Sequence, residues 1–150
     1  MRPGYQGAVA IKRGDIATGL RLLRACFKEF GETGLAAPRF MRFAAIYMAE
    51  ALGLAGQIAD GLVAIENAIG RAERTSELWD FPELIRVKGE LFLLRSTCRD
   101  TASGEECFRQ ALDVARGQGA LSWELRAATS LARLMRDQGR NHGCKPVPLV

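Results

Sequence analysis

The segment GQIADGLVAIENAI, residues 56–69, decides the fold that the sequence predicts. Its bulky apolar residues recur at the spacing of one helical face, which is typical of an amphipathic helix with one buried side. The bulky residues of this face are Ile58, Leu62, Ile65 and Ile69, and the small residues beside them are Gly61 and Ala68. Glycine costs a helix about 1 kcal/mol relative to alanine. The glycine in the middle of the buried face therefore indicates a specific packing requirement.

The same pattern occurs twice more in the chain. Residues 14–27, GDIATGLRLLRACF, align with residues 56–69 at a shift of 42, and this alignment pairs Gly19 with Gly61. A weaker third copy follows at a shift of 43, where Gly104 aligns with Gly61. A period of roughly 20–50 residues indicates a repeat architecture in which neighbouring units complete each other's core.

Further helices are predicted between these copies, and no stretch has the alternation of a β-strand. Their segments are residues 4–12 (an incomplete first helix), 39–54, 82–94 and 122–139. Pro82 suits a first helical turn, Ser122 is the expected N-cap of the last helix, and Gly139 is its expected end. We call these the A helices and the copies of the opening segment the B helices.

Each A helix and the following B helix form a predicted antiparallel hairpin, because only a short turn near Gly14 or Gly56 joins them. Longer connections are expected from B to A, around residues 33–34, 75–76 and 118–119. A small residue recurs seven positions before the turn in the A helices, and another recurs in the B helices. These residues are Gly7, Ala49, Gly89 and Ala132 in the A helices, and Gly19, Gly61 and Gly104 in the B helices. Because interaxial distance depends on the residues at the contact, the two helices of a hairpin are expected to approach closely there.

These small residues, with bulky residues at Ile65 and Phe108, resemble the tetratricopeptide (TPR) pattern. The TPR period is about 34 residues, whereas the period here is 42–43. The resemblance implies an all-α fold, a TPR-like α-solenoid of about seven helices. It predicts about 3.5 hairpins over residues 1–140 and a flexible C-terminal tail over residues 141–150.

Segments 54–79, 88–94 and 106–140 resemble more specifically the C-terminal TPR-like region of bacterial predicted ATPases. In those proteins the region follows a nucleotide-binding module, often alongside a nucleotide-cyclase or winged-helix domain. The present sequence has no Walker-type GxxxxGK[ST] segment. The resemblance therefore implies a fragment or stand-alone relative of an ATPase-type signalling or transcription regulator, and it does not carry over ATPase or cyclase activity.

Composition predicts an ordinary soluble globular protein, with 48% hydrophobic and 25% charged residues. The net charge is +4, but the basic residues are scattered among carboxylates. We therefore expect a solvated face and no nucleic-acid binding. No apolar run approaches the roughly 20 residues that span a bilayer, so no membrane partner is expected. Because no signal peptide is visible, the four cysteines (Cys26, Cys98, Cys107 and Cys144) are expected to be free thiols in the cytoplasm.

Candidate chemistry is sparse. Cys98, Cys107 and Cys144 with His142 could be imagined as a zinc site, but structural zinc sites use tightly spaced pairs that this sequence lacks. His142 is the only histidine and falls in the predicted tail, which disfavours a Ser/His or Cys/His nucleophile. Glutamates such as Glu50 and Glu90 could act as acid and base, but carboxylates on exposed helix faces are usually solvated. The sequence therefore predicts neither an enzyme nor a cofactor.

Trp79 and Trp123 occupy corresponding positions, each just before an A helix. Tryptophans are frequent binding anchors. Their recurrence with the repeat favours packing between successive hairpins instead.

The leading prediction is a non-catalytic module that binds a protein or peptide. In TPR arrays the A helices line the concave surface, and the groove candidates here are Ile46, Glu50, Arg86, Glu90, Arg126 and Arg133. Arginines and glutamates there could hold a charged peptide, or they could form salt bridges between neighbouring A helices. The alternatives are a regulatory remnant that self-associates through open array ends as a homo-oligomer, and a small-molecule-binding or enzymatic helical domain.

Overall fold

The structure, a computed structural model, describes residues 3–33 and 38–140, and these residues form seven α-helices joined by turns, without a strand. The helices are α1 (Pro3–Lys12), α2 (Ile16–Thr33), α3 (Pro38–Leu54), α4 (Ile58–Thr75), α5 (Phe81–Arg95), α6 (Cys98–Gln118) and α7 (Leu121–Arg140). The predicted all-α fold is therefore confirmed for the described part of the chain. Among these seven helices none is both long and apolar enough to cross a membrane.

The chain divides into two compact units between Ala68 and Ile69, within α4. The domain predicted over residues 1–140 thus comprises two units, and the tail predicted over residues 141–150 lies outside the described residues. In the first unit α1, α2 and α3 pack on one another around a core of Ile11, Leu20, Leu23, Ala44, Met48, Ala51 and Leu52. In the second unit α5, α6 and α7 pack on one another around Ile85, Cys107, Phe108, Ala111, Ala127, Leu131 and Leu134.

Glycines bring α1 and α2 together in the first unit. A Cβ atom at Gly19 would lie 2.4 Å from Cγ1 of Ile11 and 3.1 Å from the carbonyl oxygen of Gly7. A Cβ atom at Gly7 would lie 2.9 Å from Cγ of Leu23. Ile11, the later of these residues in α1, contacts Gly19, whereas the earlier Gly7 reaches the later Leu23 of α2. The two helices therefore run in opposite directions.

The second unit repeats this arrangement between α5 and α6. A Cβ atom at Gly104 would lie 3.1 Å from the carbonyl oxygen of Gly89, and one at Gly89 would lie 2.7 Å from Cε1 of Phe108. The predicted close approach is confirmed at both pairs of glycines. Of the other small residues in the A helices, Ala49 is fully buried, whereas Ala132 of α7 is exposed.

The turns from A to B helices share a left-handed residue. Gly14 and Gly56 have φ values of +86° and +81°, and Ser96 occupies the third such turn with a φ of 58°. Left-handed backbone costs a residue with a Cβ roughly 1–2 kcal/mol. Directly after Ser96, the hydroxyl of Thr97 caps α6 by accepting a hydrogen bond of 3.1 Å from the backbone N–H of Asp100.

Two predicted helix ends are wrong. Ser122 lies inside α7, which begins at Leu121, because the carbonyl of Ala120 already accepts the first helical bond from Glu124 (2.9 Å). Gly139 does not end the helix, which continues to Arg140. Pro82, in contrast, occupies the first turn of α5 as predicted.

The B helices extend into the predicted B-to-A connections. Residues 33, 75 and 118, which were expected in connections, belong to helices α2, α4 and α6, and these have 18, 18 and 21 residues. The connection from α6 to α7 contains only Gly119 and Ala120. The prediction of a longer B-to-A connection is therefore wrong at this point, because helix α6 continues until a left-handed glycine (φ 65°) ends it.

Candidate partner-binding site

The six residues predicted to line a groove fall in both units, and the structure describes each set separately. Ile46 and Glu50 lie on α3 of the first unit, where both are partly buried. The other four lie in the second unit, with Arg86 and Glu90 on α5 and Arg126 and Arg133 on α7.

A buried carboxylate, Glu83, is the centre of the polar contacts in the second unit. It is only 4% exposed. Arg86 donates to its two oxygens at 2.8 and 2.9 Å, and Arg126 donates from Nη2 to Oε1 at 2.7 Å. Charge-assisted, two-pronged hydrogen bonds of this kind are the strong ones. They connect α7 to α5.

Arg86 also contacts Glu90 and Ser130. Its Nη1 donates to Oε1 of Glu90 at 3.2 Å and to the hydroxyl of Ser130 at 3.3 Å. That hydroxyl donates in turn to Oε1 of Glu90 at 2.7 Å. We call these five residues, Glu83, Arg86, Glu90, Arg126 and Ser130, the α5–α7 network.

The arginines of the α5–α7 network form ion pairs within the protein. Arg86 and Arg126 form salt bridges within and between neighbouring A helices, as the second interpretation predicted. Arg86 is only 8% exposed and offers a ligand little surface. Arg133, in contrast, is exposed and forms no ion pair within residues 3–33 and 38–140.

Sequence reasoning missed Glu83, the centre of this network. A signal was present, because Glu83 and Arg126 are 43 residues apart, which is one repeat period. Residues one period apart occupy equivalent positions on successive A helices. A glutamate and an arginine at that spacing, such as Glu83 and Arg126, therefore indicate an ion pair between the two A helices.

Opposing influences act on the pKa of Glu83. Desolvation raises the pKa, but the hydrogen bonds and charges of Arg86 and Arg126 outweigh it and hold the pKa below the ordinary 4.5. In the acid range the unfolded chain therefore binds more protons at this position than the folded protein. The stability contributed by Glu83 is present above about pH 4.5 and is lost as the pH falls through its lowered pKa.

We expect the stability difference between wild type and Glu83→Gln to shrink on acidification. Urea unfolding of both proteins at a series of pH values from neutral down to about pH 3 measures this difference. Glutamine does not titrate, so the variant lacks this one contribution and retains the others. A difference that stays constant or grows below pH 4.5 would contradict the assignment of the lowered pKa to Glu83.

An exposed aromatic depression lies on the A helices of the first unit. It has a volume of about 350 Å³ between α1 and α3 and is lined by Tyr5, Ala8, Val9, Lys12, Arg13, Phe43 and Tyr47. The ring centroids of Tyr5 and Phe43 are 5.1 Å apart, and those of Phe43 and Tyr47 are 4.8 Å apart. Tyr5 and Val9 are 47% and 44% exposed. The depression therefore presents apolar surface to solvent.

Two cationic residues border this α1–α3 depression. The ammonium of Lys12 lies 5.4 Å from the centroid of the Tyr47 ring and 3.7 Å from Oε2 of Glu50. Arg13 is exposed and also lines a second depression, of about 410 Å³, on the side of α2. Of the predicted groove residues on α3, neither Ile46 nor Glu50 lines the depression, but Glu50 contacts Lys12, which does.

The sequence contains a signal for this surface. Tyr5 and Val9 are four residues apart on α1, and Arg13 follows at the same interval directly after the helix. The sequence pattern predicts an incomplete first helix over residues 4–12 and does not by itself show what its exposed side lies against.

The cysteines differ from the prediction at one position. Cys98 is disulfide-bonded, so the expectation of four free thiols is wrong there, and Cys144 lies outside the described residues. Cys26 and Cys107 are free and buried, and burial raises the pKa of both thiols. Within the described ranges no three His, Cys, Asp or Glu side chains are grouped as metal ligands. His142 lies outside these ranges.

The two tryptophans contact each other in the second unit. The centroids of Trp79 and Trp123 are 6.2 Å apart, and the ring planes meet at 42°. Trp79 is still 47% exposed. The predicted packing of the two tryptophans is thus confirmed as a ring contact. The predicted position of Trp123 before its helix is wrong, because α7 already begins at Leu121.

Comparison with known proteins gives no match: no protein family model, no curated protein and no solved structure is similar to the chain.

Proposed function

We propose that the protein is a non-catalytic, TPR-like helical-repeat module that binds an acidic segment of another protein in the α1–α3 depression. The observation that carries this proposal is the exposed aromatic surface of Tyr5, Phe43 and Tyr47 with Lys12 and Arg13 beside it. Aromatic residues and arginine are enriched at protein interfaces.

The depression suits an apolar anchor side chain. Its volume of about 350 Å³ is at the lower end of the roughly 300–1,000 Å³ of typical ligand pockets, which fits one or two side chains of a peptide better than a large cofactor. Val9 and Tyr5 are already half exposed. Covering them with an aliphatic or aromatic side chain would remove apolar surface from water.

The charges favour an acidic partner. The ion pair of Lys12 with Glu50 has a distance of 3.7 Å, and the Lys12 side chain is 59% exposed. Pairs of this kind contribute little, so a carboxylate of the partner can replace Glu50 at small cost. Arg13 and the overall charge of +4 add attraction for an acidic chain.

The repeat supports the architecture of the proposal. The glycine contacts of α1 with α2 and of α5 with α6 occupy equivalent positions of the sequence repeat, as expected for TPR-like hairpins in a solenoid. The depression lies between two A helices, α1 and α3. The A helices are also the helices that the TPR resemblance assigns to the binding surface.

A synthetic peptide series can test the proposal. The probes are short peptides with a central phenylalanine or leucine flanked by glutamates, and a second series in which lysines replace the glutamates. We expect the protein to bind the acidic series and not the basic one. Arg13→Glu should weaken binding about tenfold or more, because it reverses a charge at the rim.

The matched control is Lys28→Glu, which makes the same charge change on an exposed position of α2 outside the depression. It should leave the affinity nearly unchanged. Equal binding of both peptide series, or equal losses in Arg13→Glu and Lys28→Glu, would mean that net charge and not the depression binds the probe.

The larger context that we propose is an ATPase-type signalling regulator, as the sequence resemblance implies. Neighbouring reading frames can test this part separately. An adjacent frame that encodes a P-loop domain would support it, and neighbours of unrelated types would argue against it.

A further inference from the structure

A second depression lies beside the α1–α3 depression, between α1 and α2. It has a volume of about 410 Å³, and we call it the α1–α2 depression. Val9 and Arg13 line both depressions. Val9 is 44% exposed, and Arg13 is exposed as well. These two residues therefore form a ridge with a depression on either side.

The lining of the α1–α2 depression combines apolar and charged groups. Ala10 of α1 and Leu22 of α2 are half-buried and supply apolar surface, and Arg13 and Asp15 supply charges of opposite sign. The carboxylate of Asp15 is held in place, because its Oδ1 accepts a hydrogen bond of 3.1 Å from the backbone N–H of Thr18. The depression thus suits an apolar side chain next to a fixed negative charge.

Resting on the function proposed above, we propose that the bound acidic segment carries a second apolar side chain, which occupies the α1–α2 depression. The segment then crosses the ridge of Val9 and Arg13. Because Arg13 belongs to both linings, a carboxylate placed between the two apolar side chains reaches it from the middle of the segment. Side chains on both sides of the ridge also remove the exposed surface of Val9 from water.

The width of α1 limits the spacing of the two apolar side chains. A helix with its side chains is about 10–12 Å across, and an extended segment advances about 3.3 Å per residue. Two side chains on either side of a ridge of α1 are therefore two or three residues apart. The expected motif is an apolar residue, then a glutamate with or without one further residue, and then the second apolar residue.

Asp15 restricts what the second apolar position accepts. A glutamate there would lose the apolar contact and would bring its carboxylate close to that of Asp15, which repels it. Asp15→Asn removes this repulsion but retains a good N-cap residue at the start of α2. The variant should therefore bind a segment with glutamate at the second position more tightly than wild type does.

Fluorescence anisotropy with three kinds of peptide tests the second position. All contain a phenylalanine flanked by glutamates, followed two or three residues later by alanine, leucine or glutamate. The alanine peptide tests the proposed function alone. At one of the two spacings the leucine peptide should bind about fivefold or more tightly than the alanine peptide, because it buries more apolar surface.

Leu22→Ala locates this gain in the α1–α2 depression. The gain from leucine should shrink in this variant, whereas the affinity for the alanine peptide should stay near that of wild type, as in a double-mutant cycle. Leu54→Ala is the matched control, because it shortens a leucine that is 63% exposed on α3 and outside both linings. The control should retain the full gain.

The outcomes separate this inference from the function on which it rests. Binding of the alanine peptide without a gain from leucine at either spacing, or an equal gain in wild type and Leu22→Ala, would overturn the second position and leave the proposed function standing. If neither peptide bound, both proposals would be wrong.

Asp15→Asn gives an independent test on an exposed residue, which also covers the case in which Leu22→Ala does not fold. It should strengthen binding of the glutamate peptide more than binding of the alanine peptide. Equal effects on the two peptides would contradict the placement of the second position beside Asp15.

Discussion

Replacing Glu83 by glutamine is expected to lower the free energy of unfolding of the second unit by about 3–5 kcal/mol. Both carboxylate oxygens accept hydrogen bonds from arginines, Oε1 from Arg86 and Arg126 and Oε2 from the same two residues. Whichever way the glutamine amide turns, its NH₂ group faces an N–H donor. The variant thus leaves the buried charge of Arg86 without its main counterion, and this is the costly way to disrupt a buried ion pair.

Urea unfolding followed by tryptophan fluorescence measures this effect directly. Both tryptophans of the chain, Trp79 and Trp123, lie in the second unit, so their signal reports on the unit that contains Glu83. The matched control is Glu105→Gln, which removes an exposed pair with Arg109 on α6. That control should cost no more than about 0.5 kcal/mol. Equal losses in the two variants would show that the α5–α7 network contributes no more than a surface pair.

Replacing Gly19 by valine is expected to destabilise the first unit by about 2–3 kcal/mol. The new Cβ alone would lie 2.4 Å from Cγ1 of Ile11 and 3.1 Å from the carbonyl oxygen of Gly7. Ile11 is only 6% exposed, and Cγ1 is one bond from its Cβ, so neither the side chain nor the backbone can move away cheaply. Valine has a better helix propensity than glycine by only a few tenths of a kcal/mol, which does not offset this overlap.

Hydrogen exchange of the α1 and α2 amides, together with urea unfolding, measures the loss. Gly117→Val on α6 is the matched control, because a Cβ there would meet nothing within 4 Å. It should leave stability within about 0.5 kcal/mol of wild type. In the Gly19→Val background, Ile11→Ala should lower the free energy of unfolding less than it does in wild type, because it removes the overlapping Cγ1 atom. Additive losses would contradict direct contact as the cause.

The sequence was sufficient for the helices because their signals are local. Apolar periodicity located all seven helices, and the recurring small residues located the two close approaches that the structure shows between α1 and α2 and between α5 and α6. The helix ends were less predictable. Ser122 has the chemistry of an N-cap, but the left-handed Gly119 ends α6 so late that α7 begins one residue before Ser122.

The candidate site was less predictable because it depends on distances across helices. Arg86 and Glu90 have the same sequence signature whether they face a groove or a neighbouring helix, and only the positions of Glu83 and Ser130 show that they are paired within the protein. The α1–α3 depression unites residues about 40 positions apart, such as Tyr5 and Phe43. The spacing of Tyr5, Val9 and Arg13 is a local signal for an exposed face, but it does not show which residues of α3 lie beside that face.

The repeat uses glycine for two different reasons, and this has a consequence for handedness. At Gly14 and Gly56 there is open space around the missing side chain, but φ values of +86° and +81° disfavour an L-residue. At Gly19 and Gly104 the helix would accept an L-residue, but the neighbouring helix occupies the space. The turn positions therefore select a chirality, and a D-amino acid would satisfy them. The helix positions select a volume, because the Cβ atom of any L-residue would overlap the neighbouring helix there.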